Sequence, residues 1–534
     1  MIKNAHLNYF LLSIASAVFF AAAWIPINII PLLFFAFVPL FFLEKRIREN
    51  EKFSRLWILV YGSLSFFLLN YLTTYWIWNA SPGGAIAAWF IDTFLMLLPF
   101  FLFHLIQLKS SKANEYWSFI ALWISIELLH LRWEFAFPWL TLGNAFAPFP
   151  QLVQWYEYTG VFGGSFWVLA ANYKLYQLIL LWKEKDRSYN LKRVFNLAFV
   201  LFFLPVFLSY YITPTKTDEK TQQQETNIVV VQPNFDPYQK FESMSPMQQL
   251  QRILQLAETK LDSQTQLLIF PETALQGGLD ERNLAFNPLI VELKHFLKKH
   301  SGLNILSGAD TYKFFEKNEV LSKTARQYDS ELWYDSYNTA ILVNANNPIQ
   351  IYHKSKLVPG VENIPYASAF GFLKNFVIDL GGSSGSLGSD GEAKVFIAGS
   401  KNTIAPIICY ESVFGDFVKD FVKKDADIIC IITNDAWWGN TAGYKQHFEY
   451  SRLRAIETRR SIARCANTGV SGFIDSEGNV LQKTSWWTEA VIKQNISIIS
   501  SKTFYLKYGD WIASIAVVFA LMKLYELIFK KRSH

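Results

Sequence analysis

Long apolar runs are the feature that most constrains how this chain of 534 residues can fold. Each run approaches or meets the roughly 20 apolar residues that a helix needs to cross hydrocarbon. They cover residues 8–24, 27–43, 56–77, 85–108, 115–131, 162–182, 193–212 and 511–529. The sequence therefore predicts eight transmembrane helices. The first run, with Lys3 before it, is also compatible with a signal peptide, although no small-residue cleavage site follows.

Basic residues are confined to alternate connections between these runs. They occur in 44–55, 109–114, 183–193 and the tail 530–532, whereas 24–26 and 78–84 have none and 132–161 has only Arg132. Because cytoplasmic loops are rich in Lys and Arg, this alternation predicts that both termini are cytoplasmic. The stretch between the last two runs then lies on the opposite side of the membrane.

Composition and charge support a division into three parts. Charged residues make up only 18% of the chain, below the quarter or so of a soluble protein. We expect an N-terminal membrane domain with seven transmembrane helices (1–213), an extracytoplasmic domain (214–507), and a C-terminal transmembrane helix with a basic tail (508–534). The net charge of +6 does not require a nucleic-acid partner, since positive-inside loops also produce it.

The region 214–507 alternates short apolar runs with amphipathic stretches. Strands are expected at 227–232, 266–270, 303–308, 337–343, 403–409 and 427–433, and helices at 246–262, 289–300 and 444–460. This order predicts an α/β domain whose helices cover a largely buried sheet. Residues 214–226 are expected to be a linker and 378–395 a glycine-rich flexible loop.

Two features of the membrane part allow more than one interpretation. Glu127, His130 and Lys174 lie near the ends of runs, where snorkelling to the interface is a sufficient account of them. The segment 132–161 is aromatic and broken by Gly and Pro. It is either an aromatic belt at the outer surface or a re-entrant floor beneath a substrate site.

Three predicted strands run into residues that can carry chemistry. Glu272 follows the first, Cys409 ends the second, and the run from Asn434 to Gly439 follows the third, while Lys354 lies between the first two. The carboxyl ends of strands are where sites assemble in α/β sheets. A thiol that attacks, a carboxylate that takes its proton, and an ammonium that lowers the thiol pKa and stabilises an oxyanion would together perform acyl transfer.

Each of these residues also has an ordinary structural interpretation. Cys409 alone is compatible with a core thiol, Glu272 with a helix cap, and Lys354 with a solvated surface charge. Cys430 and Cys465 are expected in the core, and three cysteines do not make a disulfide framework. His353 and His447 have no partners at metal-ligand spacing, so neither a metal nor another cofactor is expected.

The motifs PET, YHKSKLVP, CYES and NDAWWG occur in this order, and with them the chain resembles the carbon–nitrogen hydrolase (nitrilase) superfamily. The predicted spans narrow the likeness to the apolipoprotein N-acyltransferase family. So do the runs FPWLTLGNAF, GVFGGSF, VVVQPN and HFEYSRLRAIETRRSIARCANTG. The resemblance implies an αββα sandwich with a catalytic triad of Glu272, Lys354 and Cys409.

The resemblance also implies supporting or substrate-binding roles for Glu362, Tyr410, Glu411, Asn434, Trp437 and Trp438. Trp437, Trp438, Trp486 and Trp487 either line a lipid-facing rim as interfacial anchors or belong to the core. The chain departs from the family at Lys356, where many relatives have His, and at Gly360-Val361 in place of Phe-Gly. The family Trp near the domain start is absent, and Phe235, Tyr238 and Phe241 are the candidate substitutes.

By resemblance, the reaction passes a fatty acyl chain from a phospholipid, typically phosphatidylethanolamine, through a Cys409 thioester. The acceptor is the N-terminal amine of a diacylglyceryl-cysteine apolipoprotein. The implied setting is the bacterial inner membrane, with a periplasmic catalytic domain and a monomeric enzyme. The first alternative is a membrane-tethered amidase in which water resolves the thioester, and the second is a transporter or scaffold with a degenerate enzyme domain.

Overall fold

The computed structural model describes residues 2–50, 54–109, 115–184, 191–212, 224–236, 244–366, 386–399 and 402–529. The chain divides into two compact units. One, the helical unit, consists of Met1–Trp78, Pro82–Thr213 and Tyr508–His534, and the other, the sheet unit, consists of Asn79–Ser81 and Pro214–Lys507. Most of the predicted linker and of the glycine-rich loop lies outside the described residues, as do Tyr238 and Phe241.

The described residues of the N-terminal part of the chain are mostly helical. The helices are α1 Ile2–Ala23, α2 Val38–Glu49, α3 Trp57–Thr74, α4 Ile77–Ala80, α5 Pro82–Lys109, α6 Tyr116–His130, α7 Tyr156–Thr159, α8 Val161–Glu184 and α9 Leu191–Ile212. Short 3₁₀ helices cover Ile30–Phe35, Pro138–Leu140, Leu142–Phe146 and Pro150–Leu152.

Five of the described helices have the length and hydropathy to cross a membrane. They are Asn4–Ala23, Trp57–Thr74, Pro82–Lys109, Val194–Ile212 and the C-terminal Trp511–Phe529. Helix α6 is apolar but has only 15 residues. The run 27–43, predicted as one span, consists of a 3₁₀ helix followed by α2. Pro31 and Pro39 fall in the first turns of these two elements, where the missing proline N–H costs no hydrogen bond.

Residues 138–147 of the segment 132–161 are buried within the helical unit, whereas Arg132, Glu134, Gln151 and Tyr158 are exposed. Trp139, Phe146 and Tyr156 are completely buried. The hydroxyl of Tyr156 donates to the carbonyl of Gly143 at 2.9 Å. A Cβ at Gly143 would lie 2.0 Å from the carbonyl oxygen of Val161, so only glycine permits this close packing.

Glu127 and His130 point into the protein, so the snorkelling interpretation was wrong for both. The Oε1 atom of Glu127 accepts the backbone N–H of Leu142 at 2.9 Å. The Nε2 atom of His130 accepts the backbone N–H of Phe137 at 3.1 Å. Two polar side chains of α6 therefore hold the buried segment through backbone groups that a loop would otherwise leave unsatisfied.

The sheet unit is built from two mixed β-sheets. Its strands are β1 Glu225–Gln232, β2 Leu267–Ile269, β3 Leu275–Asp280, β4 Asn304–Phe314, β5 Arg326–Gln327, β6 Trp333–Val343, β7 Gln350–His353, β8 Phe396–Ala398, β9 Asn402–Ile408, β10 Ile428–Thr433, β11 Ile462–Ala466, β12 Gly472–Ile474, β13 Val480–Lys483 and β14 Ala490–Ser497. All six predicted strands are present, with boundaries that differ by a few residues.

The first sheet has eight strands in the order β14-β1-β2-β4-β6-β5, with β3 paired to β4 and β7 to β6. The second has six strands in the order β13-β12-β11-β10-β9-β8. The central pairs β1–β2, β2–β4, β9–β10 and β10–β11 are parallel. Because parallel neighbours end at the same edge, the residues that follow β9 and β10 lie next to each other.

Helices cover the two sheets, which contact each other through β1 with β11 and β6 with β9. Helices α10 (Pro246–Glu258) and α11 (Pro288–Lys299) pack on the first sheet. Helices α12 (Gly415–Lys423) and α13 (Ala442–Thr458) pack on the second. The chain continues through α14 (Phe504–Tyr508) into α15 (Trp511–Phe529). The described part of the sheet unit is thus a helix–sheet–sheet–helix sandwich with two sheets, which confirms the αββα sandwich that the family resemblance implied.

Candidate active site

Glu272 lies in the turn that follows β2 and is 6% exposed. The next residue, Thr273, has a φ of +49° and turns the chain sharply. Gly308 of the neighbouring strand β4 makes room for this turn. A Cβ at Gly308 would lie 2.6 Å from the Cα of Glu272 and 2.5 Å from the backbone nitrogen of Thr273. The sequence therefore fixes the position of this carboxylate through a glycine on an adjacent strand.

Lys354 follows β7 directly and is 1% exposed. Its backbone N–H donates to the carbonyl of Asn338 at 2.9 Å. Its Nζ atom donates to Oε1 of Glu272 at 3.2 Å and to Oε1 of Glu362 at 2.8 Å. Burial lowers the pKa of Lys354, but the two carboxylates raise it more, so the net pKa lies well above the usual value. Lys354 is therefore a permanent cation.

Asn338, on β6, is a residue of this group that the sequence did not indicate. Its Nδ2 atom donates to Oε1 of Glu272 at 2.8 Å and to Oε1 of Glu362 at 2.9 Å. The second carboxylate oxygen of Glu362 accepts the backbone N–H of Val358 at 2.9 Å. Asn338 and Lys354 thus hold two carboxylates side by side, and each donor reduces their mutual repulsion.

Cys409 follows β9 and opens the 3₁₀ helix Cys409–Val413. Its φ is +48°, which is rare for a residue with a Cβ and costs on the order of 1–3 kcal/mol. Burial raises the pKa of the thiol, as does the charge of Glu272, and Lys354 opposes them only in part. Lys354 lowers the pKa of this thiol, as expected from the sequence, but burial and Glu272 outweigh it and the net pKa is raised. Cys409 is a protonated thiol at neutral pH and needs a base when it reacts.

Glu411 ties the turn at Cys409 to the chain that carries Lys354. Its Oε2 atom accepts the backbone N–H of Ile408 at 2.8 Å, and Oε1 accepts that of Ser355 at 2.6 Å. Oε1 also accepts the hydroxyl of Tyr352 at 2.5 Å. Burial raises the pKa of Glu411 to about 7, although these hydrogen bonds oppose the shift. Glu411, for which the family resemblance implied a supporting role, therefore braces the end of β9 against the residues that follow β7.

Behind Cys409 lies a second buried polar group, formed by Asp435, His447 and Arg464. An Nη2 atom of Arg464 donates to Oδ2 of Asp435 at 2.8 Å, and Nδ1 of His447 lies 2.9 Å from Oδ1. The Nε2 atom of His447 is 3.2 Å from the carbonyl oxygen of Cys409. Burial raises the pKa of Asp435, but Arg464 and His447 together lower it by more than burial raises it, so the carboxylate stays charged. This group holds the backbone of Cys409.

The prediction that His447 has no ligand-type neighbours was wrong. Within the described residues, the donor atoms of Cys409, Asp435 and His447 lie within 4.8 Å of one another. These donors nevertheless do not fit a cation. Arg464 already donates to Asp435 and lies 2.9 Å from Nδ1 of His447, so a metal ion would face a buried guanidinium.

The remaining predicted residues lie around this group with different environments. Tyr410 is buried and packs edge-on against Phe414. Asn434 is buried and accepts from Asn467 at 3.3 Å. The ring of Trp438 packs against His447, and Trp437 is partly exposed. Trp486 stacks on Tyr444, while Trp487 is 43% exposed.

Several residues singled out in the sequence have only structural contacts. Cys430 and Cys465 are completely buried within β10 and β11, as expected for core thiols. The Nζ atom of Lys356 lies over the rings of Phe414 and Phe417, at 5.5 and 5.3 Å from their centroids. These cation–π contacts give the lysine at this family position a partner of its own.

His353, next to Lys354, is also more constrained than its sequence position indicated. Its two ring nitrogens contact Oδ1 of Asp390 at 2.9 Å and Oε1 of Glu281 at 2.7 Å, and its ring stacks on Tyr337. Burial lowers the pKa of His353, but the hydrogen bonds to Asp390 and Glu281 raise it more, and the net pKa is raised. The strand that positions Lys354 is thus anchored by a histidine held between two carboxylates.

The structure brings a carboxylate, an ammonium and a thiol into one buried group. Glu272 and Lys354 are hydrogen-bonded, and the charges of both act on Cys409. A base next to a protonated thiol can generate the nucleophile during attack, and a fixed cation can stabilise the oxyanion that forms. This arrangement is suited to covalent acyl transfer.

Comparisons with known proteins match both parts of the chain. Residues 227–500, more than half of the sequence, match the family model of the carbon-nitrogen hydrolases. Residues 16–173 match the model of the apolipoprotein N-acyltransferase N-terminal domain.

Individual relatives cover nearly the whole chain. The apolipoprotein N-acyltransferase of Chlorobaculum tepidum is 28% identical over 92% of this chain and 91% of its own length. Apolipoprotein N-acyltransferase 1 of Treponema denticola is 28% identical over 98% of this chain and 96% of its own. Among solved structures, a carbon–nitrogen hydrolase superfamily protein of Xanthomonas campestris aligns at 15% identity and a TM-score of 0.35. That alignment covers 58% of this chain and 98% of that protein.

Proposed function

Because the chain belongs to the carbon-nitrogen hydrolase family, we propose that it is an apolipoprotein N-acyltransferase. In this activity, a fatty acyl chain moves from a membrane phospholipid to the N-terminal amine of a diacylglyceryl-cysteine apolipoprotein. The observation that carries the proposal is the buried group of Glu272, Lys354 and Cys409 in a chain that also has five helices of membrane-crossing length. The relatives that match almost the full chain support the same activity.

The first half of the reaction acylates the enzyme. Glu272 takes the proton of the Cys409 thiol while the sulfur attacks the sn-1 ester carbonyl of the phospholipid, preferably phosphatidylethanolamine. A C–S bond forms, and Lys354 stabilises the oxyanion. The ester C–O bond then breaks, and the departing lysophospholipid oxygen takes the proton held by Glu272. The product is a thioester on Cys409.

The second half transfers the acyl chain to the lipoprotein. The amine must be neutral to attack, and an α-amino pKa of about 8 makes the neutral form accessible at neutral pH. A C–N bond forms, the C–S bond breaks, and Glu272 passes a proton from the nitrogen to the departing sulfur. Glu272 thus acts as base and acid in each half-reaction, so the residues named need no added cofactor.

Supporting residues act through these three. Glu362 and Asn338 position Lys354 and Glu272, and Glu411 braces the Cys409 turn. Tyr410, Asn434, Trp437 and Trp438 are assigned to the surroundings of the substrate.

The membrane arrangement is the second part of the proposal. Eight spans, with both termini in the cytoplasm, place residues 214–507 in the periplasm between a membrane domain at 1–213 and a final helix at 508–534. The basic loops and the five qualifying helices support this arrangement. A bilayer setting suits the donor, since each CH₂ taken from lipid to water costs about 0.8 kcal/mol. The enzyme is proposed to act as a monomer.

A transfer assay distinguishes this activity from that of a membrane-tethered amidase. The purified protein is incubated in phosphatidylethanolamine vesicles with a diacylglyceryl lipopeptide that has a free α-amine. The matched control is the same lipopeptide with its amine acetylated. We expect a third acyl chain on the free-amine peptide alone. Release of free fatty acid at the same rate with either peptide, without acylated peptide, would instead identify a hydrolase.

A further inference from the structure

The helical unit contains an apolar groove that the proposed reaction does not use. It lies between α6, α8 and α15 and has a volume of about 670 Å³. Its walls include Trp117 and Phe166, which are 41% and 37% exposed, and Ile515, which is 60% exposed. This volume is within the range of about 300–1,000 Å³ that small-molecule sites occupy.

Small side chains create the groove where α6 meets α15. Ala121 and Ala516 line it, and both are almost completely buried. Larger residues at these two positions would fill the space between the helices. The groove is thus built into the packing of two helices.

The dimensions of the groove match one lipid tail. Trp511 and Lys523 both line it, and the helical rise between them is about 18 Å. The hydrocarbon of a bilayer is about 30 Å thick, so the groove runs a little over the depth of one leaflet. Helix α15 is itself one of the helices with membrane-crossing length and hydropathy.

Charged groups of both signs lie at one end of the groove. The Nζ atom of Lys523 is 3.0 Å from Oε2 of Glu115 and 3.3 Å from Oε2 of Glu526. Lys109 donates to the carbonyl of Leu527, in the last turns of α15, at 2.6 Å. Among the described residues, this end therefore offers two cations and two carboxylates to a headgroup.

We propose that this groove binds one phospholipid with a zwitterionic, amine-bearing headgroup. One acyl chain lies along Ile515 and Trp117, the phosphate approaches Lys523 and Lys109, and the ammonium approaches Glu526 and Glu115. An anionic headgroup without an amine would compete with Glu115 and Glu526 for Lys523 and would bring no cation to these carboxylates in exchange. The proposal requires that α6 and α15 lie in a bilayer and does not depend on the acyltransferase activity.

Photo-crosslinking from single positions tests the site without interference from lipid bound elsewhere. p-Benzoylphenylalanine replaces Ile515, which lines the groove, or Val518, which does not line it and is equally exposed at 60%. The full-length protein is placed in vesicles of equimolar phosphatidylethanolamine and phosphatidylglycerol and irradiated. Mass spectrometry of the crosslinked peptide identifies the headgroup. Phe519, another groove residue, provides a second aromatic position for the probe.

We expect the groove positions to capture phosphatidylethanolamine about fivefold more than phosphatidylglycerol, the scale of one partly exposed ion pair. The probe at position 518 should capture the two lipids in equal amounts, as in the bulk mixture. Glu526→Gln should bring the ratio at position 515 close to that at 518. A ratio at 515 equal to the bulk mixture would identify ordinary annular lipid and overturn the proposal. A preference for phosphatidylglycerol would overturn it as well.

Discussion

Nζ of Lys354 lies 3.2 Å from Oε1 of Glu272, and both side chains are almost completely buried. A buried ion pair of this kind is stable only when further hydrogen bonds satisfy its remaining polar atoms. Glu362 and Asn338 supply those bonds. The positions of the candidate base Glu272 and of the candidate oxyanion-stabilising cation Lys354 therefore depend on Glu362 and Asn338. Neither of these two residues needs to touch a substrate.

Replacing Glu362 tests this dependence. Glu362→Gln keeps an oxygen for Lys354 but removes the charge. A charge-assisted hydrogen bond is worth roughly 1.5–3 kcal/mol, so acylation should slow about 10- to 100-fold. Glu362→Ala should slow it further. Glu392→Gln, which removes a surface ion pair with Lys424, is the control and should keep the wild-type rate. Equal rates in the two Glu362 variants and wild type would exclude a positioning role.

Variants of Glu411 and Tyr352 should weaken the contacts around the Cys409 turn to different degrees. Glu411→Gln replaces one of two accepting oxygens by an NH₂ group, so either the N–H of Ile408 or that of Ser355 loses its acceptor. An unsatisfied buried donor costs about 1–3 kcal/mol. Tyr352→Phe removes only one donor and leaves both backbone contacts. We expect the thermal unfolding midpoint and the acylation rate to fall in both variants, and more in Glu411→Gln. The reverse order would contradict the bracing role of Glu411.

Gly308→Ala should displace the Glu272 turn without altering any catalytic side chain. The added Cβ would lie 2.5–2.7 Å from backbone atoms of residues 271–273, which cannot move aside as a flexible side chain would. We expect acylation to fall by at least about tenfold, the effect of a misplaced catalytic group. Gly83→Ala is the control, because a Cβ there meets no atom within 4 Å and its φ is not positive. Full activity in Gly308→Ala would show that the turn position is not critical.

His353 predicts a specific pH dependence of stability. Its pKa is raised in the folded state, so folded protein binds the proton more tightly than the unfolded chain. The stabilisation is complete below the unfolded pKa of about 6.5 and is lost as pH rises through the higher folded value. The unfolding midpoint of wild type should therefore fall with pH above this point, and His353→Asn should flatten the fall. As a control, replacing the exposed His295 by Asn should leave the pH dependence of the unfolding midpoint as in wild type. If His353→Asn also left that dependence unchanged, the prediction would be refuted.

The sequence pointed to Glu272 and Cys409 because each directly follows or ends a predicted strand, whereas Lys354 was indicated only by its motif between them and by the family resemblance. The sequence could not predict Asn338, whose role depends on which residue of β6 lies beside β7 and on the side chains that converge there. Nor could it predict the group of Asp435, His447 and Arg464, which the packing of α13 against the second sheet assembles from three elements.

The pKa of Cys409 and the packing of the helical unit could not be predicted from sequence patterns, because both depend on contacts between distant parts of the chain. The shift in the pKa of Cys409 is the sum of the effects of burial, Glu272 and Lys354. Burial is the largest of these effects, and it decides that the pKa rises. Residues 27–43 have the composition of one span, yet two prolines divide them between two helical elements. Similarly, the aromatic character of 132–161 fits either an aromatic belt or a re-entrant floor, and the pattern does not indicate the backbone contacts that Glu127 and His130 make to it.

The most direct test of the account is the intact mass of the protein after incubation with phosphatidylethanolamine of a single known acyl chain. We predict one acyl adduct, located at Cys409 by peptide mapping, which disappears when a lipopeptide with a free α-amine is added and reappears on that amine. Cys430→Ala, which removes another buried thiol, should behave like wild type, and Cys409→Ala should form neither adduct nor product. Transfer by Cys409→Ala, or transfer by wild type with no adduct at Cys409, would contradict the account.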